Sequence, residues 1–545
     1  MKRAIPLLLS LLLVLTALTA CGGDSEKTGA GHSFSFTLVG NPDTLDPQLA
    51  VNTSAKTVLA NLFEGLFTLG EDGSLRNGVV RDWQVSDDKL HYTFDLRQDS
   101  YWYSTAEGQN PFDKEAAVKV TANDFVFAFQ RMFDPIYHSP YKESFSSIRY
   151  AREITDGGQD PSLIGVYARR DDRLEIELER PDSGLLTKLA STAALPCNQT
   201  YFEMTKGRYG LDEQSIIGNG SFAMQRWLYD PYGKYNVIQL SRNPLNHAVH
   251  KVYPVDLNFY IEQTDADAVR IFTKGNTDCC VTTQTDLLSN TSATVSGAFS
   301  LTLGIIANPN SDYGKTPKIA QAMRAALDYA SMPLYDDLRP ASGILPPASV
   351  LMNKSCRELI SDVSYRVNSP EQAKQLLNAG LAAVSRSELA EGKVLVPSGL
   401  MDYSALLEVL KHWENTLSLH LSLEEVAPAE FGQRLSSGSY DLALYTLTGE
   451  DHNPSSVLEH FLTDSCLHCG AADAVRQCLK ETAGAPELPK AVELYSRAEA
   501  DILDDACLIP LFYKKRVLVC KPGVKDVLFN PFSGQVQFTE AKFFG

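Results

Sequence analysis

Two adjacent acids, Glu450 and Asp451, stand just ahead of an Asn-Pro break and directly after the alternating apolar run "YDLALYTL". A strand that ends in carboxylates and a proline reads as a loop that meets a partner, since proline fixes φ and halts the ladder. The blander reading is a pair of solvated loop charges, which are common. A second constellation is "CLHC", with Cys466, His468 and Cys469, followed by Cys478. A structural zinc needs four ligands and the fourth is unassigned, with His460 conceivable; disulfides or buried thiols are the more economical reading, and no metal is expected. The motifs of a nucleophile elbow, an H-E-x-x-H zinc helix and a phosphate-binding P-loop are missing, and the ten histidines are scattered. An enzyme is not expected, nor a cofactor.

The N-terminus says where such a loop would work. "MKRAIPLLLSLLLVLTALTACGG" has a basic start, a short apolar run, and small residues before Cys21. The run is short for a membrane span and matches an export signal. Leu18-Thr19-Ala20-Cys21 resembles a bacterial lipobox, in which Cys21 carries the lipid and becomes the new N-terminus. Residues 1–20 are then the leader and 21–32 a small, polar tether. No second long apolar stretch follows, so one lipid anchor holds the body at the extracytoplasmic face of the membrane. With 49 basic against 67 acidic residues the formal net charge is −18, which argues against nucleic acid and anionic headgroups as partners.

The elements that must position the acids alternate between strand and helix without an internal repeat. "SFSFTLV", "KLHYTFDL" and "DRLEIELER" alternate with period two. "TANDFVFAFQRMF" starts at Thr121, a plausible N-cap, and places Phe125, Val126 and Phe129 at helical spacing. "KIAQAMRAALDYA" and "LPKAVELYSRAEADILDD" read as amphipathic helices. This mixture predicts an α/β fold with mixed sheets, and the length predicts two or three domains. Asp46-Pro47 and Glu64-Gly65 suit turns, while Trp83, Phe94 and Trp102 suit a core.

In order along the chain, "NPDTLDPQLA", "NLFEGLFTLGEDGSLRNGVVRDWQVSDDKLHYTFDLRQDSYW", "VTANDFVFAFQRMFDP", "IIGNGSFAMQRW", "SGILPPAS", "YDLALYTLTGEDHNPSSVLEHFLTDS" and "AEADILDDACLIPLFYKKRVLV" resemble the family 5 extracellular solute-binding proteins. These are peptide-binding components of ABC importers. The resemblance implies a bilobal periplasmic-binding-protein-like fold with two lobes joined by a hinge. It divides the chain into a first lobe (33–70, 180–301 and 511–545), an extra domain on it (71–179) and a second lobe (302–510). The hinge would run through "SLTLGIIAN" and "CLIPLFYKK". A peptide would lie extended in the interlobe cleft, held through its backbone, in a monomer that delivers it to permease subunits.

The resemblance also implies site residues. Counting back from Pro454 puts Glu450 where the family holds the ligand's α-ammonium, with Asp451 a substitute, and Leu447 where the family carries an aromatic. Val51, Asn52 and Thr53 fall where backbone lies against the ligand. Ile305, Ile306 and Asn308 occupy a strand that is often tyrosine-rich in the family, and Tyr513 is a candidate aromatic wall at the hinge. Arg434 is a weaker candidate for a ligand carboxylate. The same scaffold can take a nickel chelate, haem or an oligosaccharide, and a peptide-sensing lipoprotein is the other reading.

Overall fold

Two long apolar strands, Thr294–Ala307 and Ile509–Cys520, lie antiparallel at the centre of an eleven-stranded sheet. The computed structural model describes residues 29–70, 72–105, 117–232, 235–288, 292–341, 343–360, 369–484 and 486–545. The lipobox and Cys21 lie outside the described residues.

At one end of the long pair, Cys279–Thr282 joins Val517–Cys520, followed by Ser33–Val39, Asp256–Glu262, Val237–Arg242 and Phe222–Leu228. At the other end Leu442–Leu447 joins Thr302–Ala307, followed by Gly392–Pro397 and Leu421–Val426. Between the two groups, Ala298 and Phe299 pair only with Arg516 and Lys515. A register shift falls there, between Phe299 and Leu301, and a second between Leu303 and Gly304. A narrow waist with bulges, edged only by the short strand Leu338–Pro340 on Phe512–Lys514, twists more readily than a wide sheet. Phe299, Ala341 and Tyr513 form a small core of their own at this waist. The architecture is the expected bilobal mixed α/β fold.

A four-stranded antiparallel sheet, Val80–Val85, His91–Leu96, Arg173–Glu177 and Val166–Arg170, stands beside the first group. Its second strand buries Tyr92, Phe94 and Leu96 on one face, as the period-two pattern requires. The helix Ala122–Phe133 packs on this sheet with Phe125 and Phe129 fully buried and Val126 partly so. Thr121 caps it, and its N–H donates to the Asp124 carboxylate at 2.7 Å. Phe94 and Trp102 are buried, and Trp83 packs edge-on against Phe67. The apolar core of this sheet is continuous with that beneath the first group of strands.

The helix Thr53–Leu62 is buried along nearly its whole length. Its C-terminal end is gripped by the "GNG" of residues 218–220. A Cβ at Gly218 would sit 2.2 Å from the Leu62 carbonyl oxygen, so only glycine allows this approach. Asn219 between them accepts from the Glu64 N–H at 3.0 Å and donates to the Glu64 carbonyl at 2.9 Å. Asp46 does stand at a turn, as its place before Pro47 suggests, but it does more. Its carboxylate is sealed against the Arg131 guanidinium, both side chains 3% exposed or less, and Arg131 also donates to Gln48 Oε1 at 2.9 Å.

Candidate functional site

The helix Thr53–Leu62 carries one charge, Lys56. Asn52 starts it, accepting the Ala55 N–H at 2.7 Å on its side chain. Lys56 lies a turn further on, its side chain 9% exposed, too buried for an ammonium without a partner. The partner comes from the other lobe. Lys56 Nζ donates to both oxygens of Glu450, each at 2.8 Å.

Burial works to raise the Glu450 pKa, but the Lys56 ammonium outweighs it and holds the carboxyl below its ordinary value. Half of the Glu450 side chain remains exposed, at 50%. A carboxylate offers about four lone-pair sites, so the lysine does not exhaust it. Asp451 beside it is buried, accepts the Asn453 N–H at 2.7 Å, and is pushed up to about 6 by burial. His452 packs edge-on against Phe532, and its Nδ1 has no hydrogen-bond partner among the described residues.

These residues open onto an interlobe cavity of about 920 Å³, a size suited to a ligand of several hundred daltons. Lys56, Tyr141 and Arg180 line one side and Glu450, Asp451 and Glu459 the other. Contacts close the lobes around it. Lys188 pairs with Glu459 at 2.9 Å, Ser183 Oγ donates to the Thr482 carbonyl at 3.1 Å, and Asn530 Nδ2 donates to the Glu450 carbonyl at 3.0 Å. Thr448 Oγ1 bridges the carbonyls of Ser300 and Phe532 at 3.1 and 3.2 Å. Arg180 spends its donors on Ser146, at 3.1 and 3.2 Å, with no carboxylate partner among the described residues. The wall therefore presents both signs of charge, with one acid half open and Arg180 among the cations that have no carboxylate partner among the described residues.

Of the residues expected at the site, Glu450 and Asp451 line this cavity and the others do not. Val51 is half exposed at the entry to the Lys56 helix; Asn52 is spent on the cap, and Thr53 Oγ1 donates to the Ser533 carbonyl at 3.1 Å. Leu447 is a correction: it is fully buried among Val457, Leu458 and Ile306 in the second lobe's core, so it shapes no ligand pocket. Ile305 and Ile306 are corrections for a related reason. Their side chains are core, and Ile305 already has Leu444 on one side and Ile509 on the other, leaving no edge for a ligand strand. Asn308 ties the second lobe to itself, donating to the carbonyls of Gly438 and Tyr440 at 2.6 and 2.7 Å. Tyr513 is buried at the waist, its hydroxyl donating to the Gly343 carbonyl at 3.1 Å. Arg434 is engaged by Glu424 through two hydrogen bonds, at 2.8 and 3.1 Å.

Lys56, Tyr141, Arg180 and His452 were not legible as site residues, with one exception. Lys56 is the single charge in the helical stretch "TSAKTVLANL", which signals a buried cation in search of an anion.

Residues 74–467 match the family model described as bacterial extracellular solute-binding proteins, family 5 Middle. The oligopeptide-binding protein OppA of Bacillus subtilis is 22% identical over 567 residues, covering 100% of each chain. The substrate-binding domain of a Bacillus anthracis oligopeptide ABC transporter overlays with a TM-score of 0.78 at 21% identity, covering 95% of this chain and 100% of that one. The murein tripeptide binding protein MppA of Escherichia coli, 20% identical, overlays at 0.75 in one structure and at 0.63 in its unliganded open form, across 94% of this chain and 98% or 97% of that protein. With a family match that spans most of its length, the chain belongs to the bacterial extracellular solute-binding proteins of family 5.

Proposed function

We propose that this protein is a lipid-anchored receptor that captures peptides between its lobes and hands them to the permease of an ABC importer. The observation that carries the reading is the meeting of Glu450 and Lys56 across the cavity. A half-open carboxylate on one lobe, already part-balanced by a cation on the other, can share itself with a ligand's α-ammonium as the lobes close. Relatives described as oligopeptide-binding support the ligand class. The lipobox-like stretch before Cys21 supports the anchor.

Native mass spectrometry of the protein as purified tests the ligand class. Adducts with the masses of short peptides, lost on denaturation, are expected; one recurrent non-peptide mass would contradict the reading. Detergent-phase partitioning of Cys21→Ala tests the anchor: the variant is expected in the aqueous phase, and partitioning like wild type would contradict lipidation.

A further inference from the structure

Nine cysteines follow Cys21 in the chain, and in the structure all nine are free thiols. Most are sealed in cores. Cys279 and Cys520, opposite each other on neighbouring strands, are both buried, as are Cys478 and Cys356. One pair is different. Cys469, in the loop after the helix His460–Thr463, and Cys507, just past the helix Leu488–Asp505, are each partly exposed. Their Sγ atoms and an Asp505 carboxylate oxygen lie within 4.8 Å of one another.

We propose that Cys469 and Cys507 form a disulfide in the exported protein. The two sulfurs lie within 4.8 Å of one another, and with the partner thiol beside each, the Cys469 thiol is held below its ordinary pKa while that of Cys507 is pushed up. Cys469 is thus the attacking sulfur and Cys507 the resolving one. The oxidant is an external disulfide, of the thiol–disulfide exchange class found outside the cytoplasm. The Cys469 thiolate attacks it, giving a mixed disulfide and one released thiol. Cys507 then loses its proton and attacks Cys469 Sγ, and the second thiol leaves. The protein gives up two electrons and two protons; the oxidant gains them as two thiols.

Asp505 positions the pair. Its carboxylate accepts the Gly470 N–H at 2.7 Å, fastening the Cys469 loop to the helix end that carries Cys507. Among the described residues a metal would find only three converging donors, one of them so committed, whereas a structural zinc takes four. Cys466 is turned elsewhere, with its Sγ 4.0 Å from the Leu435 carbonyl, and Cys478 is in the core, so "CLHC" does not act as a unit. The proposed bond joins two consequential segments. Glu459 and His460, which line the cavity, lead into the Cys469 loop, and Cys507 leads through Leu508 into the hinge strand Ile509–Cys520. The crosslink anchors a wall of the cavity to the hinge.

The test is a non-reduced digest of the full-length lipoprotein, taken from membranes with alkylating reagent present throughout. The expected product is a linked pair of peptides containing Cys469 and Cys507, lighter by two hydrogens than their sum and separated by reductant. Both cysteines alkylated as free thiols would overturn the proposal. So would stoichiometric zinc whose removal by chelator leaves both thiols alkylatable. In parallel, reductant is expected to lower the melting temperature of wild type by several degrees while leaving the Cys469→Ser/Cys507→Ser double variant unmoved. Equal shifts in the two proteins would also count against the bond.

Discussion

Asp46 and Lys56 lie on one short stretch of chain, and each is half of an ion pair, yet the two pairs do opposite things. Asp46 meets Arg131 inside a single core, with side chains 3% and 2% exposed. Lys56 meets Glu450 across two lobes, and the acid keeps half its surface. A sealed pair cannot be parted without leaving a charge stranded in a low-dielectric interior. A pair that spans a hinge is parted whenever the lobes open, and water then receives both charges. The first therefore belongs to the fold and, on the proposed function, the second to the opening and closing of the lobes.

The largest effect should come from breaking the sealed pair. Arg131→Met is expected to cost about 3–5 kcal/mol by stranding the Asp46 carboxylate, read as a fall in the urea midpoint. A loss near zero would mean that the two pairs are not different in kind.

Asp451 sharpens the comparison, because it is buried beside Glu450 without a cation of its own among the described residues. Burial raises its pKa to about 6 from the unfolded 3.8. The folded state thus holds a proton that the unfolded state gives up, so the contribution to stability is fully present below pH 3.8 and is lost as pH rises through about 6. Asp451→Asn keeps an acceptor for the Asn453 N–H and is expected to stabilise the protein at pH 7 by roughly 2–3 kcal/mol, and not at pH 3.5. Denaturation of both proteins at the two pH values checks this. Asp124 is also raised to about 6 by burial, so only the difference between the proteins is diagnostic.

The smallest change in stability belongs to the pair across the lobes. Lys56→Met is expected to cost no more than about 0–1 kcal/mol, read from the urea midpoint, as for a partly exposed pair. A loss as large as that of Arg131→Met would make the pair a piece of framework.

The mixed α/β class could be read from the residues because period and punctuation are local, whereas the two lobes came only from the resemblance to a family. Tyr92, Phe94 and Leu96 declare a one-faced strand by themselves, and Thr121 with Asp124 declares a helix start. The acid loop was legible for the same reason, from Glu450, Asp451 and Pro454 in a row. What counting along a motif cannot supply is the direction a side chain faces or the partners already beside it. Leu447 and Ile306 occupy the expected strands but face the second lobe's core, and Ile305 has its backbone paired on both edges. The Lys56–Glu450 and Asp46–Arg131 pairs join distant parts of the chain, and no local pattern announces such a contact. The lone lysine in an otherwise neutral helix was the one available hint.

The central claim is that Glu450 receives a ligand's α-ammonium in competition with Lys56. Titration calorimetry tests it on wild type, Glu450→Gln and Lys56→Met, each with one peptide that copurifies and with its N-acetylated form. Wild type is expected to prefer the free peptide, Glu450→Gln to lose that preference, and Lys56→Met to enlarge it, since the acid is released from its internal partner. Losing the contact to an enclosed charge costs about 2–5 kcal/mol, which sets the scale of the change. If Glu450→Gln discriminates as wild type does, or Lys56→Met leaves the preference unchanged, the ammonium is held elsewhere and the account is wrong.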